Sequence, residues 1–242
     1  MQKHSSQTLL LTASIDPNVS KTPLTVISNP NQRLKEYQEN LKGILNSRIF
    51  KQIVFCENTQ YPYDFKEEKQ LASSLGAELE IISFLGSNYK IQKQGKGFGE
   101  GEIINTALEK SEVLSKAKDF YKLTGRIQVD NFKSIVSNCS HSNCFLLYQR
   151  NKPIVDTRLF KCDVSFYKEH LTKAYLEVED LEGNYLEHEF FKALKGQSGV
   201  RNFSDYPKFN SLSGSTGISY KKGAFKYAIY QIMLKTGQLS IK

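Results

Sequence analysis

Between Thr8 and Phe84, short apolar runs alternate with stretches whose apolar residues recur at helical spacing, and this alternation narrows the possible folds more than any other feature. Thr8 to Ile15 (TLLLTASI) and Lys51 to Cys56 (KQIVFC) read as buried strands, and Glu78 to Phe84 (ELEIISF) as a third. Between them, Arg33 to Arg48 places Leu34, Tyr37, Leu41, Ile44 and Leu45 on one helical face. Asp64 to Leu75 forms a second helix, capped by Asp64 and ended at Gly76. Buried strands joined through helices imply an α/β architecture: a mainly parallel central sheet with helices on both faces. Ligands of such sheets sit at the carboxyl ends of the strands. That places Ser14, Glu57, Asn58 and the segment around Gly125 where a ligand would bind.

The stretch from Gln94 to Asn131 supplies further candidates. Gly95, Gly97, Gly99 and Gly101 alternate with other residues and read as a loop able to approach an anion closely with its N–H groups. A helical pattern follows (Ile103, Ile104, Ala107, Leu108, Leu114), with its positive end beside that loop. Gly95, Lys96, Gly97 and Gly99 are therefore candidate phosphate ligands, with Lys122, Gly125 and Arg126 from the next strand. A merely flexible connection is the competing reading. No Gly-Lys-Ser/Thr follows at phosphate-loop spacing, and the glycines follow the third strand, not the first, unlike a dinucleotide fingerprint. Glu100 and Glu102 suit the helix dipole without any ligand.

After Asn131 the alternation gives way. Cys144 to Tyr148 and Pro153 to Val155 read as strands joined by a turn at Arg150-Asn151-Lys152. Asp156-Thr157-Arg158 follows, and Phe160 to Val178 reads as a helix with Tyr167, Leu171, Ala174, Tyr175 and Val178 on one face. Asn184 to Leu194 is a shorter helix carrying Glu187, His188 and Glu189. Gly196 to Gly217 reads as a long mobile surface loop. Lys222 to Leu234 reads as a basic amphipathic helix whose apolar face carries Phe225, Ala228, Ile229, Ile232 and Met233.

A length of 242 residues suits one large domain, and the net charge of +8 favours anionic partners: nucleotides, nucleic acid or lipid headgroups. The lysines are scattered and no base-stacking motif occurs, so nucleic acid is not the expected partner. The four cysteines form no disulfide framework, and no apolar run reaches transmembrane length. A cytoplasmic protein is expected, resting at most on a membrane surface. Cys139, His141 and Cys144 are close in sequence but lack a fourth zinc ligand at standard spacing.

The segments GKGFGEGEIINTALEKSEVL, FYKLTGRIQVDN, DTRLF and YLEHEF, in that order, resemble nucleotide-sugar glycosyltransferases of the GT-A fold. More narrowly they resemble bacterial transferases encoded with capsule and lipopolysaccharide genes. The resemblance covers about residues 8–195. It implies a Rossmann-like nucleotide-sugar half (1–131), a mixed acceptor-side half (132–195) and a tail (196–242). It also implies a sugar-nucleotide donor and a glycan or glycolipid acceptor. Most members hold a divalent metal, Mg or Mn, on an Asp-x-Asp pair after the fourth strand. Here Asp130 is the only carboxylate at that place and Arg126 stands where an acid is expected. A metal is therefore disfavoured, with Asp130 its ligand if there is one. An arginine can neutralise a leaving diphosphate instead, and a salt bridge is its competing role.

The resemblance puts the catalytic base on the helix carrying Glu187, with Asp156 as a second catalytic candidate and Arg158 as a phosphate ligand. Asp130, Asn131 and His188 fall to the sugar and acceptor side. Glu187 and Glu189 are two residues apart, so at most one of them faces a site. A nucleotidyltransferase of sugar-nucleotide metabolism is the alternative enzyme, and a basic nucleic-acid-binding protein the alternative from another class.

Overall fold

The computed structural model describes residues 7–147 and 153–241. The turn expected at Arg150-Asn151-Lys152, and Tyr148, lie outside the described residues. Seven strands form one mixed sheet in the order β3-β2-β1-β4-β6-β5-β7. β1 (Thr8–Ala13), β2 (Gln52–Glu57), β3 (Glu78–Ser83) and β4 (Asp119–Thr124) run parallel. β6 (Leu159–Asp163) is antiparallel to both β4 and β5 (Asn143–Phe145). β7 (Val200–Asn202) closes the far edge parallel to β5.

Every residue of β1 is buried, as a central strand covered on both faces demands. Its alternating side chains divide between two cores. Leu9, Leu11 and Ala13 pack under α1 (Pro30–Ser47), α2 (Lys66–Ser74) and α6 (Phe132–Asn138). Leu10 faces α4 (Lys96–Lys110), α5 (Glu112–Lys116), α7 (Val164–His170) and α8 (Leu186–Leu194). The α/β reading with helices on both faces therefore holds.

Four expectations need correction. The glycine segment is no loop: α3 (Asn88–Gln94) precedes it, Gly95 alone has a positive φ, of 103°, and Gly97, Gly99 and Gly101 lie inside α4. The missing side chains of Gly97 and Gly101 leave a bare helix surface onto which residues 174–186 pack, while Gly99 faces Asn58 and Ile91. A Cβ on Gly101 would collide with Tyr175, and one on Gly97 would sit 3.0 Å from Asp180 and 3.3 Å from Leu186. The helix read over Phe160 to Val178 is strand β6 followed by α7 and a 3-10 turn at Ala174–Glu177. β6 slots between β4 and β5, so sheet hydrogen bonding overrides the helical spacing. Pro153 to Val155 forms only a bridge, Val155 to Leu147.

The fourth correction concerns Gly196 to Gly217. The segment contains β7 and buries Phe203, Tyr206 and Phe209, which anchor it across the sheet end. α9 (Ala224–Lys235) then packs through Tyr227, Tyr230, Met233 and Leu234.

The glycines give a direct test. Gly101→Ala is expected to destabilise the fold by about 1–3 kcal/mol, because overpacking forces the Tyr175 segment away. Gly43 sits in α1, and a Cβ added to it would meet nothing within 4 Å, so Gly43→Ala is expected to stabilise by about 0.5–1 kcal/mol. Urea unfolding of both variants measures the pair, and equal effects would contradict the packing role of Gly101.

Candidate functional site

The chain leaves β1 for β2 and β3 on one side, then returns to place β4 on the other. The strand order thus reverses between β1 and β4, and a crevice opens at their carboxyl ends. A pocket of about 190 Å³ occupies it. Its floor is Thr12, Ala13 and Ser14 from the end of β1, Asn58 after β2, and Thr124 and Arg126 after β4. Lys96, Gly99 and Glu100 of α4 form one wall. Leu212, Gly214 and Ser215 roof it, with the Gly214 carbonyl accepting from the N–H groups of Val26 and Ile27, and Lys96 Nζ bonded to Ser215.

Arg33 reaches this pocket from the first turns of α1 and is 7% exposed. Its Nε donates to the Ser14 carbonyl (2.7 Å), Nη1 to the Ile27 carbonyl (3.0 Å) and Nη2 to Tyr37 Oη (3.2 Å). All three acceptors are neutral, so a buried guanidinium has no carboxylate in salt-bridge contact among the described residues. Burial, with Arg126 nearby, lowers its pKa. Arg126 itself pairs with Glu36. Two cations sharing one carboxylate beside a pocket form a site with charge left for an anion. Arg33 escaped the sequence reading, although a cation in the opening turns of a helix opposes the dipole and was a usable signal.

Deeper, Lys122 is fully buried and pairs with Glu100. It also donates to Thr124 Oγ1 (3.0 Å) and the Thr157 carbonyl (2.7 Å), while Thr12 and Thr124 donate to Glu100. Thr157 Oγ1 in turn donates to Glu187 Oε1 at 3.1 Å. Burial raises the Glu187 pKa and the charge of Glu100 adds to it, while its own backbone N–H, the charge of Lys96 and the Thr157 hydrogen bond oppose them. Glu187 lines both the pocket and a second, wider groove.

That groove, of about 1330 Å³, carries Asp156, Arg158, His188, Lys221 and Lys222. Asp156 grips Arg158 bidentately, Nε to Oδ1 at 2.8 Å and Nη2 to Oδ2 at 2.5 Å. The guanidinium lies over the rings of Phe209 (4.1 Å) and Tyr220 (4.5 Å). Lys222 has a lowered pKa, from burial first and then from Arg158.

Of the residues singled out from sequence, Ser14, Asn58, Lys96, Gly99, Arg126, Arg158 and Glu187 meet at the pocket, and Asp156 and His188 at the groove. The others do not reach either. Glu57 is fully buried and accepts from Thr59 N (2.8 Å), Thr59 Oγ1 (2.7 Å), Tyr61 N (3.1 Å) and Ser83. It holds the loop after β2, and no acceptor capacity is left for a ligand. Gly95 and Gly97 present the start of α4 to Asp180, not to a phosphate, with Gly97 N 3.0 Å from its carboxylate. Lys122 is neutralised by Glu100. Gly125 lets β4 press against Tyr37, whose ring would lie 3.0 Å from an added Cβ.

Asp130 and Asn131 fasten the tail. Asn210 donates to Asp130 (3.1 Å), and Asn131 exchanges hydrogen bonds with the backbone of Tyr206 (3.1 Å) and Lys208 (2.8 Å). Asp130 is thus exposed and away from the cleft. His188 accepts from Tyr185 N at 3.0 Å, which caps α8. Glu189 is buried against Lys192, 2.6 Å away. Cys139 and Cys144 are buried free thiols with Sγ atoms 3.0 Å apart. Among the described residues no group of three His, Cys, Asp or Glu is placed to hold a metal.

Comparison with known proteins returned no match, either to a model of a protein family or to a curated protein sequence.

The unbalanced cations give a ligand-level expectation. Pyrophosphate should bind the pocket, and Arg33→Gln should weaken it by about 1.5–3 kcal/mol, roughly 10–150-fold. Calorimetric titration measures this, with a thermal melt confirming that the variant is folded. Equal affinity in the folded variant would remove Arg33 from the site.

Proposed function

We propose that the protein is a glycosyltransferase that moves a sugar from a nucleotide-sugar donor to a surface glycan or glycolipid. The observation that carries this reading is Arg33, a buried cation facing neutral oxygens in a pocket at the strand-order reversal. A parallel half followed by a mixed half accords with the GT-A resemblance, and the capsule and lipopolysaccharide resemblance directs the choice of acceptor.

In this reading the donor diphosphate lies against Arg33, Arg126 and Lys96, with Arg158 at the mouth. The bond from the anomeric carbon to the diphosphate oxygen breaks as one to the acceptor hydroxyl oxygen forms. The electron pair leaves with the diphosphate, where the guanidinium groups stabilise the developing charge. The proton of the acceptor hydroxyl passes to Glu187, which stands between the donor pocket and the groove. A carboxylate with a raised pKa is a better base near neutral pH than an ordinary glutamate. Glu100 does not compete for this role or offer itself to a cation, because Lys122 and two threonines already hold it.

Titration with UDP, CDP and GDP tests the donor site, and absence of binding by all three at millimolar concentration would overturn the proposal. With a donor and acceptor in hand, Glu187→Gln is expected to cut turnover by about 10²–10⁴-fold and leave donor affinity unchanged. Glu189→Gln, which removes only the partner of Lys192, should cost far less. Wild-type activity should fall as pH drops through the raised Glu187 pKa, because the base is then protonated. That acid limb should lie above the ordinary glutamate range and vanish in Glu187→Gln. Transfer is expected to persist in EDTA. Loss restored by manganese would show that a metal, not the arginines, carries the leaving charge.

A further inference from the structure

Helix α9 is apolar around most of its circumference, and only one side is covered. Tyr227, Tyr230, Met233 and Leu234 pack onto the tail segment and β5 side of the fold. The opposite stripe stays open: Phe225 is 78% exposed, Ile229 40% and Ile232 61%. These positions are i, i+4 and i+7, one continuous face over two turns, and of the apolar face expected from sequence only Met233 joins the packed side. A surface helix of a water-facing protein places polar residues there. Leu24 and Ile218, 51% and 68% exposed, stand with Phe225 along the groove beside Glu187. The apolar patch therefore continues to the rim of the groove.

The charge that the tail itself carries has one sign. Residues 206–242 contain six lysines and neither Asp nor Glu. Lys221, Lys226 and Lys235 are exposed beside or between the apolar positions. A helix whose exposed apolar stripe is accompanied by lysines and no acid matches an interfacial helix, whose apolar face enters the acyl boundary while the cations meet anionic headgroups. A second copy of this chain is the poorer fit, because an isologous contact would set the lysines of one α9 against those of the other.

We propose that α9, with Leu24 and Ile218, docks the protein on an anionic lipid bilayer and turns the mouth of the Glu187 groove towards that surface. This surface stands apart from the reaction proposed above and would bind lipid whatever chemistry the pocket performs.

Flotation with vesicles, in the absence of any nucleotide, tests it. The full chain should float with vesicles made of an equal mixture of phosphatidylcholine and phosphatidylglycerol. It should stay behind with phosphatidylcholine alone, and added salt should release it. The triple variant Phe225→Ser, Ile229→Ser, Ile232→Ser should lose at least about 10-fold in bound fraction with an unchanged melting temperature, since these side chains touch little of the fold. Lys226→Glu with Lys235→Glu should lose binding to the anionic vesicles as well. Three results would overturn the proposal: no flotation of the wild type, equal flotation of the serine variant, or a wild-type dimer in size-exclusion chromatography that the serine variant converts to monomer. The last would assign the face to a second copy. Calorimetry with nucleoside diphosphates reads the pocket separately, so failure of either site is distinguishable from failure of the other.

Discussion

The close approach of residues 174–186 to the bare face of α4 sets the position of most of the site. Gly97 and Gly101 remove the side chains that would otherwise hold these segments apart, and Tyr175 and Leu186 settle into the space. Asp180 supplies the anion at the start of α4, with one oxygen 3.0 Å from Gly97 N. An intramolecular carboxylate there satisfies orphan N–H groups and the helix dipole together. Leu186 is the first residue of α8, so fixing Leu186 against Gly97 places Glu187, its neighbour, at the cleft. A glycine pattern that resembles a ligand-binding loop thus acts as a packing surface that positions a carboxylate elsewhere.

Charge in the cleft is divided with a clear logic. Two carboxylates beside the pocket and the groove have fixed partners: Glu100 has Lys122, and Asp156 has Arg158. Such pairs satisfy charges that would be costly to bury alone. Arg33 and Arg126 share one acid, Glu36, which reaches only Arg126. The surplus is positive and faces the pocket. Glu187 is held by the Thr157 hydroxyl and its own backbone N–H, with Lys96 as the cation that acts on it and no salt bridge to it among the described residues. The site therefore joins a surplus of positive charge on the strand-end side to a partly desolvated carboxylate on the groove side. A reaction that expels an anion while shedding a proton needs that polarity.

The tail shows how much a single-chain reading of polarity can mislead. Gly196 to Gly217 is rich in small polar residues, yet Phe203, Tyr206 and Phe209 drive it into the sheet end. Asp130 and Asn131 then act as its hydrogen-bonding anchors. The same segment brings Gly214 and Ser215 over Arg126 and Lys96. The roof of the pocket and the floor of the cationic groove come from sequence that carries no periodic signal.

The sequence by itself determined the α/β class, the strands β1 to β3, the helices between them and the strand ends at which a pocket forms. Those features rest on local periodicity and on the burial of continuous apolar runs, and both are properties of neighbouring residues. Arg126 was singled out by its place after the fourth strand, and Arg158 and Glu187 by the glycosyltransferase resemblance. The tertiary structure alone decided that Leu159–Asp163 is a strand, since the β4 and β5 edges that it joins lie far away in sequence. It alone decided that Glu57 is spent on Thr59, Tyr61 and Ser83 while Arg33 is left without a countercharge. A carboxylate or a guanidinium reads the same in sequence whether its partner is a loop or a ligand. Only the folded chain fixes which donors and acceptors stand within 3 Å or so of it.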